Sequence, residues 1–389
     1  MSDAPTGFDS FDHQPRTRLV FGVGAVERTG ELAHALGLKK ILLVTDRGVV
    51  AAGHAARAQH ALQQAGVAVV LFDAVTENPT TRDVGLCLAA ARAAEMDGII
   101  GLGGGSSLDT AKGCNFLLTN GGRMQDYWGV GKAAQPMLPF IAIPTTAGTG
   151  SECQSFALIA DEKTHQKMAC GDPKAAARVA ILDPALTVSQ PPHVAACTGV
   201  DALSHALESA VTRKRNAIST AYAREAFRLC SESLPRVLRA GDDLTARGGM
   251  LMGAALGGLA IENSMLGAAH ASANPLTAHY GIAHGRAIGV MLGPVIQFNS
   301  ADPAIRQIYD ELAPGRSLPA EVARLLELAR MPKSLAECGV EKSALPALAA
   351  EAAKQWTATV NPRRAGEAEF RQLYEAAFAP VGETAAKSF

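Results

Sequence analysis

Asp201 and His205 in the segment GVDALSHALE, and His270 and His284 in GAAHASANPLTAHYGIAHG, are the residues whose types and spacing say most about chemistry. One carboxylate and three imidazoles are a donor set that suits a borderline divalent cation such as Fe(II) or Zn(II), with room for water or a substrate oxygen. Asp201 and His205 stand four apart in a helical pattern, so their side chains share one face and can converge on one ion. His270 lies among Gly267, Ala268, Ala269, Ala271, Ser272 and Ala273, small residues that let another backbone or a bound group come close. His284 follows beside Gly285, and tertiary folding must bring it and His270 to the first pair. Taken alone, Asp-x-x-x-His more often marks a helix-start aspartate followed by a core histidine; the wider set turns the expectation towards a catalytic metal.

The elements that must position these residues change character near residue 190. Before it, short β-rich runs alternate with Ala-rich helical stretches: RLVFG, KILLVTD, VAVVLFD and DGIIGLG are each followed by a helical pattern. This rhythm predicts a mainly parallel sheet with helices on its faces. After Ser189 and the Pro191-Pro192 pair, long Ala/Leu patterns take over, and even the apolar, branched stretch Ile288 to Ile296 is expected to be helix. The chain of 389 residues, 48% of them apolar, is therefore expected to form two domains: an α/β domain over 1–189 and an all-α domain over 190–389.

Two glycine-rich turns compete for a cofactor. Gly22-Val23-Gly24 follows a strand and opens a helix, but Glu27 stands where a third glycine would complete a dinucleotide fingerprint, so a plain strand-to-helix turn is expected. In the second, the run DGIIGLG enters Gly103-Gly104-Gly105 and then Ser106, Ser107 and Asp109 at a helix start, where bare backbone N–H groups make a pyrophosphate cradle. A third turn, Pro144 to Glu152, supplies the hydroxyls of Thr145, Thr146, Thr149 and Ser151, suited either to capping a loop or to lining a ribose and nicotinamide.

The ordered set GGGSSLDTAKG, PTTAGTGSE, GVDALSHALE and AHGRAIGVMLGPVIQFN, with the early FGVGAVE and Asn78 to Thr80, resembles the iron-containing alcohol dehydrogenases over nearly the whole chain. The resemblance implies the dehydroquinate synthase-like fold of that family: an N-terminal dinucleotide-binding α/β domain and a helical metal-binding domain. It implies that Gly103, Gly104, Gly105 and Ser106 hold a pyrophosphate, that Asn78, Thr145, Thr146 and Thr149 line the cofactor, and that Asp201, His205, His270 and His284 hold Fe(II), or Zn(II), which shares the ligand set. Asp46, ending KILLVTD, resembles the family acid on the adenosine ribose; a carboxylate there repels a 2′-phosphate and favours NAD over NADP, although Arg47 beside it can pair with that phosphate. Asp109 and Lys112 suit either a structural pair at i, i+3 or a place beside cofactor and substrate. Asp109, Asn274 and His284 are the catalytic candidates, and hydride transfer between nicotinamide and a small alcohol or aldehyde is the implied reaction. A homodimer is implied by the family alone.

One departure stands out. Where the family pattern has His-x-x-x-His-Pro-Leu, this chain has His270 followed by Asn274-Pro275-Leu276, an amide that cannot titrate near neutral pH. His279, five residues on, offers a stand-in, but on a continuous helix it faces about a quarter-turn or more away from position 274, and a surface or interface histidine is expected. Rival readings are a maleylacetate reductase-like enzyme for a dicarboxylate, a dehydroquinate synthase, whose basic cluster is missing from the ligand segments, and a nucleotide-binding relative without catalysis.

Composition narrows the partners. A formal net charge of -1 with no basic block beyond Arg213, Lys214 and Arg215 argues against nucleic acid. Seven cysteines, odd in number and without C-x-x-C spacing, suggest reduced thiols in a cytoplasmic protein. The acidic N-terminus lacks an apolar run, and the apolar stretch from Met250 to Ile261 is short and glycine-rich, so neither export nor a membrane span is expected.

Overall fold

The computed structural model describes residues 10–164 and 166–379, so residues 1–9 of the N-terminal segment weighed for export lie outside the described residues. The chain separates into two compact units, one of residues 14–190 and one of residues from 191 onward, which residues 10–13 join.

The first unit is built on a six-stranded parallel sheet in the order β1-β9-β6-β4-β2-β3. Its strands are β1 (Arg18–Phe21), β2 (Lys40–Val44), β3 (Ala68–Phe72), β4 (Gly98–Gly103), β6 (Phe140–Pro144) and β9 (Val179–Leu182). A second sheet joins β5 (Gly129–Val130), β8 (Lys167–Gly171) and β7 (Phe156–Ala160), with β7 and β8 antiparallel. β4 and β6 are buried along their whole length, which explains their unbroken apolar runs: a parallel strand covered on both faces has no polar side to alternate with. Alternate residues feed two cores. Ile41, Leu43, Ile100, Leu102, Ile141 and Ile181 pack with helices α1 (Thr29–Ala35) and α3 (His54–Gln64), through Leu32, Ala33, Ala58 and Leu62. Leu42, Val44, Ile99, Phe140 and Ala142 face the other way, onto Cys87 and Ala91 of α4 (Thr81–Ala94) and Leu108, Ala111 and Cys114 of α5 (Gly105–Asn120). The short α2 (Arg47–Ala51) follows β2.

Strand order decides where a ligand can enter. The chain runs outward from β2 to β3 and then returns to place β4 on the other side of β2. Between β2 and β4 the winding reverses, and in an open α/β sheet the crevice beyond the carboxyl ends at that reversal is the expected ligand position. Asp46 ends the segment after β2, Gly103 ends β4 where Gly104 and Gly105 open α5, and Thr145 opens the turn after β6.

The second unit is helical, as its patterning predicts: α6 (Pro192–Val211), α7 (Ala217–Arg239), α8 (Leu244–Ser264), α9 (Ala268–Tyr280) and α10 (His284–Asn299), then α11 (Pro303–Leu312), α12 (Leu318–Leu328), α13 (Leu345–Ala352) and α14 (Glu367–Phe378). Ile288 to Ile296 lies inside α10. Every residue of α6 from Gly199 to Val211 is buried, so this helix is the axis of the unit. α8 packs against α6 and α7, and glycines at every fourth position allow close approach: a Cβ on Gly253 would lie 2.6 Å from Cys230 Sγ, and one on Gly257 would lie 3.4 Å from His205 Cβ. With 21 residues α8 is the one helix among the described residues long and apolar enough to cross a membrane, but 67% of its apolar window is already buried against protein. The seven cysteines are all free thiols, as their spacing predicts.

Candidate active site

Two constellations form, one in each unit. In the helical unit α6 carries Asp201 and His205 on one face, the first turns of α9 carry His270, and His284 is the first residue of α10. Nε2 of His205, His270 and His284 lies 3.4, 3.5 and 3.8 Å from Asp201 Oδ1, and the Nε2 atoms of His205 and His270 are 3.2 Å apart. One donor atom from each of Asp201, His270 and His284 falls within 4.8 Å of the others. The side chains of Asp201, His205 and His270 are 7, 5 and 6% exposed, whereas that of His284 is 27% exposed and marks the open side of the cluster.

The electrostatics of the cluster suit a bound cation. Asp201 Oδ1 is buried and accepts no hydrogen bond, a costly condition for a carboxylate oxygen. Burial disfavours its charge, but the nearby imidazoles of His205, His270 and His284 hold its pKa well below the usual carboxylate range. Burial likewise works against charge on His270, yet the carboxylates of Asp201 and Glu208 beside it prevail and lift its pKa to about 9. Glu208 Oε2 lies 2.5 Å from His270 Nδ1, so with the ring neutral the proton sits on Nδ1 and the Nε2 lone pair faces Asp201. A buried carboxylate oxygen ringed by imidazole nitrogens, one side open, is what an oxygen and three nitrogen ligands around a divalent cation require.

In the sheet unit the expected cofactor residues also converge. Gly104 occupies the N-cap position of α5 without a side-chain cap, which leaves the first N–H groups of this 16-residue helix to a ligand. Thr145 N–H donates to Gly103 O at 2.9 Å. A Cβ on Gly105 would lie 2.8 Å from Thr149 Cγ2, and one on Gly104 would lie 3.3 Å from Thr146 Cγ2, so the glycine turn and the hydroxyl turn touch only because side chains are absent. Asn78, at φ 53°, donates its N–H to Ser106 Oγ at 3.3 Å. Asp46 caps α2 by accepting the Val49 N–H at 3.0 Å, and its other oxygen accepts from Ser107 Oγ at 3.4 Å.

Asp109 is engaged inside the unit. Its Oδ1 accepts from Ser151 Oγ at 2.6 Å and lies 3.5 Å from the fully buried ammonium of Lys112, which donates to Ser151 O, Ser151 Oγ and Phe156 O, each at 2.7 Å. The pair at i, i+3 therefore clamps the hydroxyl turn to α5. The Gly22-Val23-Gly24 turn is filled from within: Gly24 and Val26 donate their N–H groups to the buried Asp183 carboxylate at 3.1 and 3.3 Å.

Asn274 lies one helical turn beyond His270 and donates from Nδ2 to Gln355 Oε1 at 3.0 Å. His279, the suggested stand-in, is half exposed and pairs with Glu351 at 2.9 Å instead.

Profiles described as "Iron-containing alcohol dehydrogenase" and "Fe-containing alcohol dehydrogenase family, C-terminal" match residues 15–184 and 195–378. The chain belongs to the iron-containing alcohol dehydrogenase family. Its reaction is the interconversion of alcohols and aldehydes, and its two-part fold is the family's. Among relatives, the 1,3-propanediol dehydrogenase of Klebsiella pneumoniae is 34% identical, with 95% of this chain and 99% of the relative covered. The NAD-dependent methanol dehydrogenase of Bacillus methanolicus is 33% identical, with 91% and 96% covered. A crystal structure of a 1,3-propanediol oxidoreductase superposes with a TM-score of 0.91 at 33% identity, over 95% of this chain and all of that one.

Sequence reasoning missed two supports, Glu208 and Asn361. Glu208 stands seven residues after Asp201 and three after His205 on the same helix, a spacing that marks it as a neighbour of both. Asn361 carries no comparable local signal, because only tertiary packing brings its amide oxygen to the Ala268 N–H.

Proposed function

We propose that Asp201, His205, His270 and His284 hold a divalent iron ion and that the sheet unit binds NAD, so that this family member oxidises and reduces small alcohols and aldehydes. The observation that carries the reading is the buried Asp201 Oδ1, which accepts no hydrogen bond while three imidazoles surround it. When bound, the ion supplies a Lewis acid for the substrate oxygen and the nicotinamide supplies the hydride acceptor or donor. Zn(II) suits the same donors, and the family name favours iron.

The protein's own part is to bind and orient. The uncapped start of α5 and Gly103 to Ser106 receive the pyrophosphate, while Asn78, Thr145, Thr146 and Thr149 line the cofactor. The Asp46 carboxylate suits ribose hydroxyls and repels a 2′-phosphate, which favours NAD over NADP; the name of the methanol-oxidising relative supports the same choice. Asp109 acts through Ser151 and Lys112 to fix the hydroxyl turn, a positioning part in place of the catalytic one expected from sequence. His284 and Asn274 are the residues proposed to face substrate, His284 because it is the exposed ligand. The protein is proposed to work in the cytoplasm as a homodimer.

The test is anaerobic reconstitution of chelator-stripped protein with Fe(II) or Zn(II), followed by NADH oxidation with a panel of short, hydroxylated and acidic aldehydes. Turnover should appear only with metal and should name the better ion. Equal turnover without metal, or none with either ion while NADH still binds, overturns the reading.

A further inference from the structure

We infer that Glu208 is the positioning residue of the metal centre: one buried carboxylate both caps helix α9 and sets which nitrogen of His270 is free to ligate. The inference rests on the metal reading and goes beyond its four ligands.

α9 begins without a cap of its own. Its N-cap is Gly267, which has no side chain to accept the orphan N–H groups of the first turn. Those groups are satisfied from elsewhere in the unit: Ala268 N–H donates to Asn361 Oδ1 at 3.1 Å and Ala269 N–H to Glu208 Oε1 at 2.7 Å. A Cβ on residue 267 would lie 2.8 Å from Asn361 Oδ1 and 2.9 Å from Glu208 Oε1, so glycine at the N-cap is what lets both reach the helix start. A carboxylate there also meets the positive end of the helix dipole.

The second oxygen of the same carboxylate does different work. Glu208 Oε2 lies 2.5 Å from His270 Nδ1 and assigns the ring proton to that nitrogen, leaving Nε2 as a lone pair beside Asp201. Because the ring and the backbone N–H one residue before it are fastened to one rigid group, the imidazole has little freedom to rotate or change tautomer. Glu208 is 3% exposed and belongs to the same helix as Asp201 and His205, so α6 supplies two ligands and the anchor of a third.

Chemistry predicts how replacement fails. A carboxylate offers two acceptors, one for Ala269 N–H and one for His270 Nδ1–H. Glutamine offers one acceptor and one donor. With its oxygen on the Ala269 N–H, its amide N–H faces His270 Nδ1 and drives the ring proton to Nε2, the nitrogen the metal needs.

The experiment measures Zn(II) affinity of metal-free wild-type, Glu208→Gln and Glu208→Ala by competition with a chromophoric chelator, and records the visible spectrum of the Co(II)-loaded proteins. NADH binding checks that the sheet unit of each variant is folded. Loss of a carboxylate behind a metal-bound histidine lowers metal affinity by about 10- to 100-fold; that loss is expected in both variants, with an altered Co(II) band. Glu208→Gln keeps the size of the side chain and carries the test if the alanine variant does not fold. A folded glutamine variant whose affinity is within twofold of wild-type, with an unchanged Co(II) spectrum, overturns the inference and leaves the metal reading standing. Wild-type protein that takes up neither Zn(II) nor Co(II) overturns both.

Discussion

The sheet unit contains two glycine turns at strand ends, and they have opposite fates. After β1, the N–H groups of Gly24 and Val26 are taken by Asp183, a carboxylate from the same unit that is 0% exposed. After β4, the start of α5 has no side-chain cap and faces the hydroxyl turn. Both are concentrations of backbone donors, and both suit an anion. The difference lies in who supplies it: the first turn binds a permanent internal anion and becomes architecture, and the second has no side-chain cap and is proposed to receive the cofactor. A glycine pattern therefore indicates donors, and a search for the nearest buried carboxylate tells whether they are already spoken for.

The sharpest way to break this contrast is Gly105→Val. A branched side chain starting 2.8 Å from Thr149 Cγ2 pushes the two turns apart and covers the cradle. NADH affinity, read by fluorescence titration, should fall roughly 100-fold, about 3 kcal/mol, while Zn(II) uptake by the helical unit stays unchanged. Retained NADH binding would remove the cradle assignment.

Asp183→Ala is the converse experiment. It strips acceptors from Gly24, Val26 and Ala185, so unfolding by urea should show a loss of about 3 kcal/mol. Protein that remains folded should bind NADH as wild-type does. A variant of normal stability but impaired NADH binding would exchange the roles of the two turns.

The smallest effect concerns a third buried carboxylate, Glu152, whose Oε1 accepts no hydrogen bond. Burial raises its pKa to about 7 against the opposing pull of its own N–H and of Lys112. The folded state thus favours the neutral acid. Its contribution to stability is complete below the unfolded pKa of about 4.3 and is lost as pH rises through the folded value. Glu152→Gln removes this dependence. Between pH 5.5 and 8.5 its stability should gain on wild-type by about 2 kcal/mol in urea titrations; a gap that does not change with pH would show that Glu152 is ionised throughout.

The fold was legible where a strand's apolar run is continuous and bounded by turns, as in β2, β4 and β6. It was illegible over 156–182, where β7, β8 and β9 crowd together. β7 and β8 form an antiparallel pair outside the alternation of strands with helices, so a reading built on that alternation passes them over. The four proposed metal ligands could be singled out because ligands need particular side chains at particular helical spacing, and the fold brings them together. The part of Asp109 stayed open in the sequence, between a pair with Lys112 and a place beside the cofactor, because Ser151, which it accepts from, is 42 residues away in the chain. Gln355 beside Asn274 was invisible for the same reason.

The pairing of β1 with β9 sets a timetable for a nascent chain. Arg18 has to wait for Val179 before it can enter the sheet, whereas β2 to β4 can assemble as soon as they leave the ribosome. Until then β1 is an unattached strand with an exposed Phe21 at its end, open to the wrong neighbour in a crowded polysome. The last strand of the sheet therefore acts as a latch, and the yield of folded protein during synthesis should hinge on how quickly that latch closes.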